Sequence, residues 1–337
     1  MPIPEELKSY AAQLGYPTSK TLEQLLALLF DTEEKIKIAA SMPGSIPELS
    51  AKTGISIEKT EQVLGELHHN GAVNKKMYDQ SRYRLYPGMI ELRDASALTP
   101  GISREMIQLW DDLVRKEMPK IVPQLEEMGL PPMMRVIPIE EAVESKSQVL
   151  DVDSARHIVL GAEQIVAIPC VCRKTAREVG RGDDCPAPDD LNLCLLINRF
   201  GDEALDRGIG ELLTPKETVR RLEAAEEAGL VHLTRNNVKD DMILCNCCSC
   251  CCTGLFMLNQ VGYNSFAPSR FRVKLDEDAC TACETCVDRC QFHAITMADI
   301  AQIDLEKCFG CGVCVETCPS EALALEEVRP KEHIRVT

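Results

Sequence analysis

Cysteines carry the chemistry of this chain: there are 18 of them in 337 residues. Eight form two runs near the end, Cys280-x-x-Cys283-x-x-Cys286-x-x-x-Cys290 and Cys308-x-x-Cys311-x-x-Cys314-x-x-x-Cys318-Pro319. Each cysteine of the first run lies 28 residues before its counterpart in the second, which marks an internal repeat. Asp276 and Asp304 keep that offset, as do Ala294-Ile295-Thr296-Met297 and Ala322-Leu323-Ala324-Leu325. Thiolates at this density are ligands for soft metals. Zinc motifs usually pair two short hooks at a distance, whereas here four cysteines crowd into one run and the run repeats. Small residues at Ala282 and Gly310 let the backbone come close to a bound group.

The spacing resembles that of bacterial-type ferredoxins with two [4Fe-4S] clusters. In that pattern three cysteines of a run bind one cubane and the fourth reaches the other. The resemblance implies one cluster on Cys280, Cys283, Cys286 and Cys318, and another on Cys308, Cys311, Cys314 and Cys290. Gln291 stands where the first run would normally carry Pro. That Pro only terminates a short helix, so no loss of ligation is expected. Asp276, Glu277, Asp278, Glu284 and Asp288 crowd the first run. Added negative charge disfavours reduction, so low potentials are expected.

Ten cysteines stand outside the repeat: Cys170, Cys172, Cys185 and Cys194, then Cys245, Cys247, Cys248, Cys250, Cys251 and Cys252. Six in eight residues cannot be core packing, since buried Cys behaves as a small hydrophobe and gains nothing from clustering. Adjacent cysteines form strained disulfides at best. Ligation of iron or another soft metal is the productive reading, with one or two further clusters expected. Cys170, Cys172, Cys185 and Cys194 can serve one and Cys245, Cys247, Cys248 and Cys250 another, or the two groups interleave; structural zinc on four cysteines is the alternative. Arg173, Lys174 and Arg177 read as a solvated helix face, or as charges that neutralise a reduced cluster or bind an anion. Residues 165–325 resemble larger iron–sulfur proteins of anaerobic bacteria and archaea, in which a cysteine-rich domain precedes a dicluster ferredoxin domain. That resemblance implies electron transfer and names no substrate.

The elements that must hold these cysteines predict an α+β multidomain chain. Residues 1–95 read as a winged helix-turn-helix domain, 96–164 as a helical connector, 165–265 as a cysteine-rich α/β domain, and 270–327 as the ferredoxin-like dicluster domain. Asp31-x-x-Glu34 and Ser45-x-x-Glu48 look like capping boxes, Ser56 caps a third helix, and Asn70-Gly71 stops it. Val73-Asn74-Lys75 and Tyr83-Arg84-Leu85-Tyr86 then flank polar Asp79-Gln80-Ser81, as a hairpin wing would. His68 and His69 read as solvated helix-end residues. One helix is expected from Ser103 to about Met128, bracketed by Pro100-Gly101 and Pro131-Pro132, and a short strand at Arg135–Pro138. Ile165–Pro169 reads as a strand delivering Cys170, Cys194 as the start of an apolar helix, Thr214-Pro215-Lys216-Glu217 as a capping box, and Leu230-Val231-His232 as a strand.

A net charge of −16 disfavours general nucleic-acid affinity. Residues 20–90 carry nine Lys or Arg against nine Asp or Glu. Any case for DNA rests on Lys75, Lys76, Arg82 and Arg84, and docking to a protein or formation of a homodimer is the favoured use of this domain. No apolar run is long enough to span a membrane, and the start, Met-Pro-Ile-Pro-Glu-Glu, lacks the basic-then-apolar pattern of a secretory signal, so a reducing cytoplasm is expected. There is no Gly-x-Gly-x-x-Gly after a strand, no Walker loop and no His-Glu-x-x-His; no NAD, flavin or ATP site is expected. The reading is an electron carrier or oxidoreductase subunit that passes single electrons to a redox partner protein, more than a stand-alone enzyme. A cluster-gated DNA-binding regulator and a reductase with substrate at a cluster in the cysteine-rich domain are the rivals.

Overall fold

Segments far apart in the chain gather into two compact units in the computed structural model, which describes residues 4–76, 79–145, 149–239 and 241–336. One unit takes the chain up to 121 together with 174–180 and 203–209; the other takes 122–173, 181–202 and 210 onward.

In the first unit, helices Glu33–Ala40, Ile46–Thr53 and Ile57–His69 accompany an antiparallel sheet ordered Gly44–Ser45, Asp79–Leu85, Val73–Lys76, its first strand lying between the first two helices. Their starts follow local chemistry. Ser45 and Glu48 form the capping box, and Ser56 Oγ accepts from the Lys59 amide at 3.2 Å. The first of these helices is capped one residue later than expected. Thr32 Oγ1 takes the Lys35 amide, while Asp31 takes the Lys35 ammonium at 2.7 Å. Gly71 ends the third helix at φ +65°, where a Cβ would sit 2.5 Å from the Ala95 carbonyl carbon.

Asp79-Gln80-Ser81 belongs to the strand Asp79–Leu85, not to the turn, and the connection lies outside the described residues. His68 is also corrected: it is buried, with Nε2 2.9 Å from Asp206 Oδ2 and Nδ1 3.3 Å from Val73 O, whereas His69 is exposed. Lys75 Nζ donates to the same Asp206 oxygen at 2.5 Å. That bond, with His68 adding to it, holds the Asp206 carboxyl below its usual range. Arg82 is paired with Glu48 at 2.7 Å and Arg84 donates to Asn74 at 3.0 Å; the Lys76 side chain lies outside the described residues. The expected helix from Ser103 changes hydrogen-bond register instead of running evenly. Arg104–Asp112 is α, Leu113–Glu117 π, Met118–Ile121 3-10, and Val122–Glu127 α again. Pro119 and Pro123 lack the N–H that an even ladder needs, which accounts for the breaks. Ile107, Trp110 and Leu113 are fully buried.

The second unit is built on a seven-stranded sheet. Its order is Phe266–Ala267, Met134–Ile137, Val231–Arg235, Ile243–Cys247, Cys194–Ile197, Ile165–Ile168, Glu211–Leu212, antiparallel except for the first pair. Cys194 opens a strand, not the expected helix. Its run of four apolar residues is short and is hydrogen-bonded on both sides, to Ile165–Ile168 and to Ile243–Cys247. Side chains of successive strand residues alternate between faces, and that alternation decides where the cysteines go. Ile137, Ile165, Ala167, Leu195, Ile197 and Leu244 form one core with helices Ala155–Leu160 and Pro215–Glu227. Val136, Val231, Leu233 and Cys247 face the other way and pack with Phe271, Phe292, Val313 and Leu325 of the C-terminal repeat. Cys194, Cys245 and Cys247 therefore share the face that the repeat covers.

Candidate metal centres

The repeat seen in the cysteines recurs in the backbone. Left-handed residues come in pairs 28 apart: Ala282 with Gly310, Glu284 with Gly312, His293 with Glu321. Four of the six are not glycine, and each such residue costs on the order of 1 kcal/mol. Bends held at that cost gather at sites that clamp a ligand. At Gly310 no side chain fits at all, since a Cβ would stand 2.1 Å from Phe271 O. Asp276 and Asp304 play the same part in each half, their carboxylates accepting from the amides two and three residues on. Their own amides cross over, Asp276 to Ala322 O and Asp304 to Ala294 O, both at 2.8 Å. The strands cross likewise, Phe271–Leu275 pairing Leu323–Glu327 and Ile295–Met297 pairing Ala301–Ile303.

Within this frame Cys286 is pushed up by burial, with the charges of Cys283, Cys318 and Cys280 adding to the effect. Burial also raises Cys290, to which Cys308 contributes, and lifts Cys311 to about 12, with Cys290 and Cys308 adding. Cys314 is raised by burial and then by Cys311, Cys290 and Cys308. Each run's fourth cysteine thus acts on the other run, Cys318 on Cys286 and Cys290 on Cys311 and Cys314. Backbone amides turn inward as well, Ala294 N donating to Cys290 Sγ at 3.3 Å. Cys283 is exposed, with exposed Asp276, Glu277, Asp278, Glu284 and Asp288 around its loop, whereas Cys286 and Cys314 are buried. The Phe292 and Phe309 rings stack at 4.6 Å between centroids.

The ten remaining cysteines interleave. The sulfurs of Cys185, Cys248, Cys250 and Cys251 all lie within 4.8 Å of one another. The other six close a ring in which each thiol adjoins two others. Cys170 meets Cys172 and Cys194, Cys245 meets Cys194 and Cys247, and Cys252 meets Cys247 and Cys172. Within the tight quartet, hydrogen bonds from Cys248, Cys250 and Cys251 hold the Cys185 thiol far below its ordinary range. Cys185 pushes Cys248 up, but Cys250 and Cys251 outweigh it and leave Cys248 at about 7. Cys250 and Cys251 are both raised, above all by Cys185. Cys185 and Cys248 give up their protons readily while Cys250 and Cys251 retain theirs, so full deprotonation calls for a cation in place of the last two protons.

Arg173, read from sequence as part of a solvated helix face or as a charge for a reduced cluster or an anion, is buried at 5 % exposure. Nε donates to Cys185 Sγ and Nη2 to Asn246 O, both at 3.2 Å. Burial works against its charge, but the neighbouring sulfurs of Cys170, Cys185 and Cys248 offset this and hold its pKa above the ordinary arginine value. The same cation helps hold Cys194 far below the thiol range, after the hydrogen bonds from Cys170 and Cys245. Arg173 therefore acts on both cysteine groups. Lys174 Nζ donates to Ala97 O at 2.8 Å.

Sequence reasoning missed two supports. On the helix-covered face, Asn246 Nδ2 donates to Leu193 O at 2.7 Å, its Oδ1 is 2.6 Å from His232 Nδ1, and His232 Nε2 is 3.2 Å from Glu226 Oε1. The period-two pattern Ile243–Cys247, with Asn between two cysteines, was the available signal. The second is Gln291, which does more than replace a helix stop. It accepts from the Ser249 amide at 2.7 Å and donates to Gly229 O at 3.0 Å, tying the residue after Cys290 to the middle of the Cys248–Cys251 run. Gln291→Leu leaves that amide and carbonyl without partners. We expect a loss of about 2 kcal/mol in a urea titration and faster hydrogen exchange at the Ser249 amide. Unchanged exchange there would mean that the tie carries no load.

Residues 273–296 and 301–324 each match the family described as 4Fe-4S binding domain. The repeat is an iron–sulfur binding region. No curated protein and no solved structure matches the chain. The match, together with the cysteine-rich residues 170–252, points to a role in iron–sulfur electron transfer. Among the described residues no helix is long and apolar enough to cross a membrane.

Proposed function

We propose that this protein is a single-electron carrier, or the electron-transfer subunit of a redox complex. It would hold two [4Fe-4S] clusters in the repeat and one further iron–sulfur cluster in the six-thiol ring. The observation that carries the reading is the paired left-handed backbone of the two runs, which keeps costly conformations at Ala282, Glu284, His293 and Glu321. Cys280, Cys283, Cys286 and Cys318 would hold one cubane, and Cys308, Cys311, Cys314 and Cys290 the other. Bound clusters supply one-electron transfer, and the chain supplies thiolates, inward amides and exclusion of water. Exposed Cys283 marks the run nearest solvent, where a redox partner protein would exchange electrons. The helices and hairpin of residues 33–85 support the reading of a winged-helix docking module. Internal pairing of Lys75 and Arg82 leaves less of the hairpin's positive charge for DNA.

The test is electron paramagnetic resonance on anaerobically prepared protein during stepwise reduction. Two reduced clusters a short distance apart in one small domain should broaden each other's signals, and Cys318→Ala should abolish that coupling. A single isolated signal, unchanged by the substitution, would refute the paired arrangement.

A further inference from the structure

The Cys185–Cys248–Cys250–Cys251 quartet differs from every other cysteine group in this molecule. Among the described residues no other set of three or more Cys, His, Asp or Glu ligand atoms comes together within 4.8 Å. Neither quartet of the ferredoxin-type repeat is drawn in so tightly, nor is the six-thiol ring. The separations are 3.5 Å from Cys185 to Cys248 and 3.6 Å from Cys250 to Cys251. Four sulfurs bound at about 2.3 Å to one ion stand about 3.8 Å apart along the edges of a tetrahedron. A cubane carries its four cysteine sulfurs on four separate iron corners, so they splay wider. We propose that Cys185, Cys248, Cys250 and Cys251 bind one tetrahedral transition-metal ion, zinc or iron, and not a cubane.

The surroundings fit such an ion. Four thiolates around a divalent metal carry a net double negative charge. Arg173 offsets one of these charges, with its N–H on Cys185 Sγ at 3.2 Å. Cys248 and Cys251 are buried and Cys185 and Cys250 half-buried. Four protein sulfurs fill a tetrahedral ion's coordination and leave no open position, so the site would pin structure or pass an electron, not bind substrate. It would clip the turn at Gly182–Cys185 to the turn after the strand Ile243–Cys247, and Gln291 would link that clip to the repeat through Ser249.

The experiment compares metal and inorganic sulfide per chain in anaerobically purified full-length protein and its Cys250→Ala variant. The proposal expects loss of about one metal ion with no loss of sulfide, while the resonance signals of the repeat persist. Loss of iron and sulfide together in cubane proportion, or loss of no metal, would overturn it. Should the variant fail to fold and lose the repeat's signals, the unaltered protein decides. X-ray absorption should find zinc in an all-sulfur shell at about 2.3 Å, or else Mössbauer spectroscopy should find mononuclear tetrahedral iron beside the clusters. The first result identifies zinc and the second iron; absence of both overturns the site while leaving the reading of the repeat untouched.

Discussion

Stripping iron from the anaerobically prepared protein is expected to unfold residues 271–327. One face of the repeat packs on the sheet, but its own local structure is weak. The helices there are Thr285–Arg289 and Val313–Glu316, too short to be stable alone, and the longest strands have five residues. Three of the left-handed residues in this stretch, Glu284, His293 and Glu321, carry large side chains that work against their own conformation. The compensating term is ligation, and in small metal domains the binding free energy, on the order of 10 kcal/mol, is largely folding free energy. Amide exchange at Asp276 through Ala322 should therefore accelerate by at least about a thousandfold, roughly 4 kcal/mol of lost protection. Helix Pro215–Glu227, on the opposite face of the sheet with its own apolar core, should keep its protection. Equal protection with and without iron would show that the repeat folds on packing alone.

Arg173→Leu is expected to release metal from the cysteines of residues 170–252 while leaving the repeat loaded. The guanidinium is the buried cation that acts on both thiol groups, and leucine fills comparable space without charge or donor. Removing one partner of a buried charged pair costs about 3–5 kcal/mol, because the remaining charge stays buried and uncompensated. Arg173→Lys should recover part of this, keeping the charge but losing the fork that reaches Cys185 Sγ and Asn246 O together. The readouts are metal per chain and the urea midpoint. The account needs the order wild type, Lys, Leu in both; a leucine variant with full metal content would place Arg173 outside the metal chemistry. Centres that remain bound in the Leu variant should also become harder to reduce, since added electrons lose a neighbouring positive charge.

The repeat could be read from sequence because its determinants are local. A 28-residue offset, a loop of three cysteines and an acidic turn at Asp276 and Asp304 are all settled within one short stretch. The helix caps at Ser45, Ser56 and Thr214 were legible for the same reason. The ten other cysteines resisted because their grouping depends on strand order. Spacing places Cys185 beside Cys194, but the sheet puts Cys194 with Cys170 and Cys245 and leaves Cys185 to the turn that carries Cys248. Cys194 itself was misread, since a run of four apolar residues has no period to separate strand from helix. The two readings of Arg173, surface charge or cluster neutraliser, stayed open because only the tertiary fold shows that its side chain turns toward Cys185 and Asn246. His68 was misjudged likewise, its partner Asp206 being 138 residues away.

Iron and acid-labile sulfide, counted per chain on protein kept under strict anaerobiosis, test the central claim most directly. Two cubanes in the repeat require at least about eight of each, and a further cluster in the six-thiol ring would raise both together. Colourless protein without inorganic sulfide, whatever zinc it held, would contradict the account.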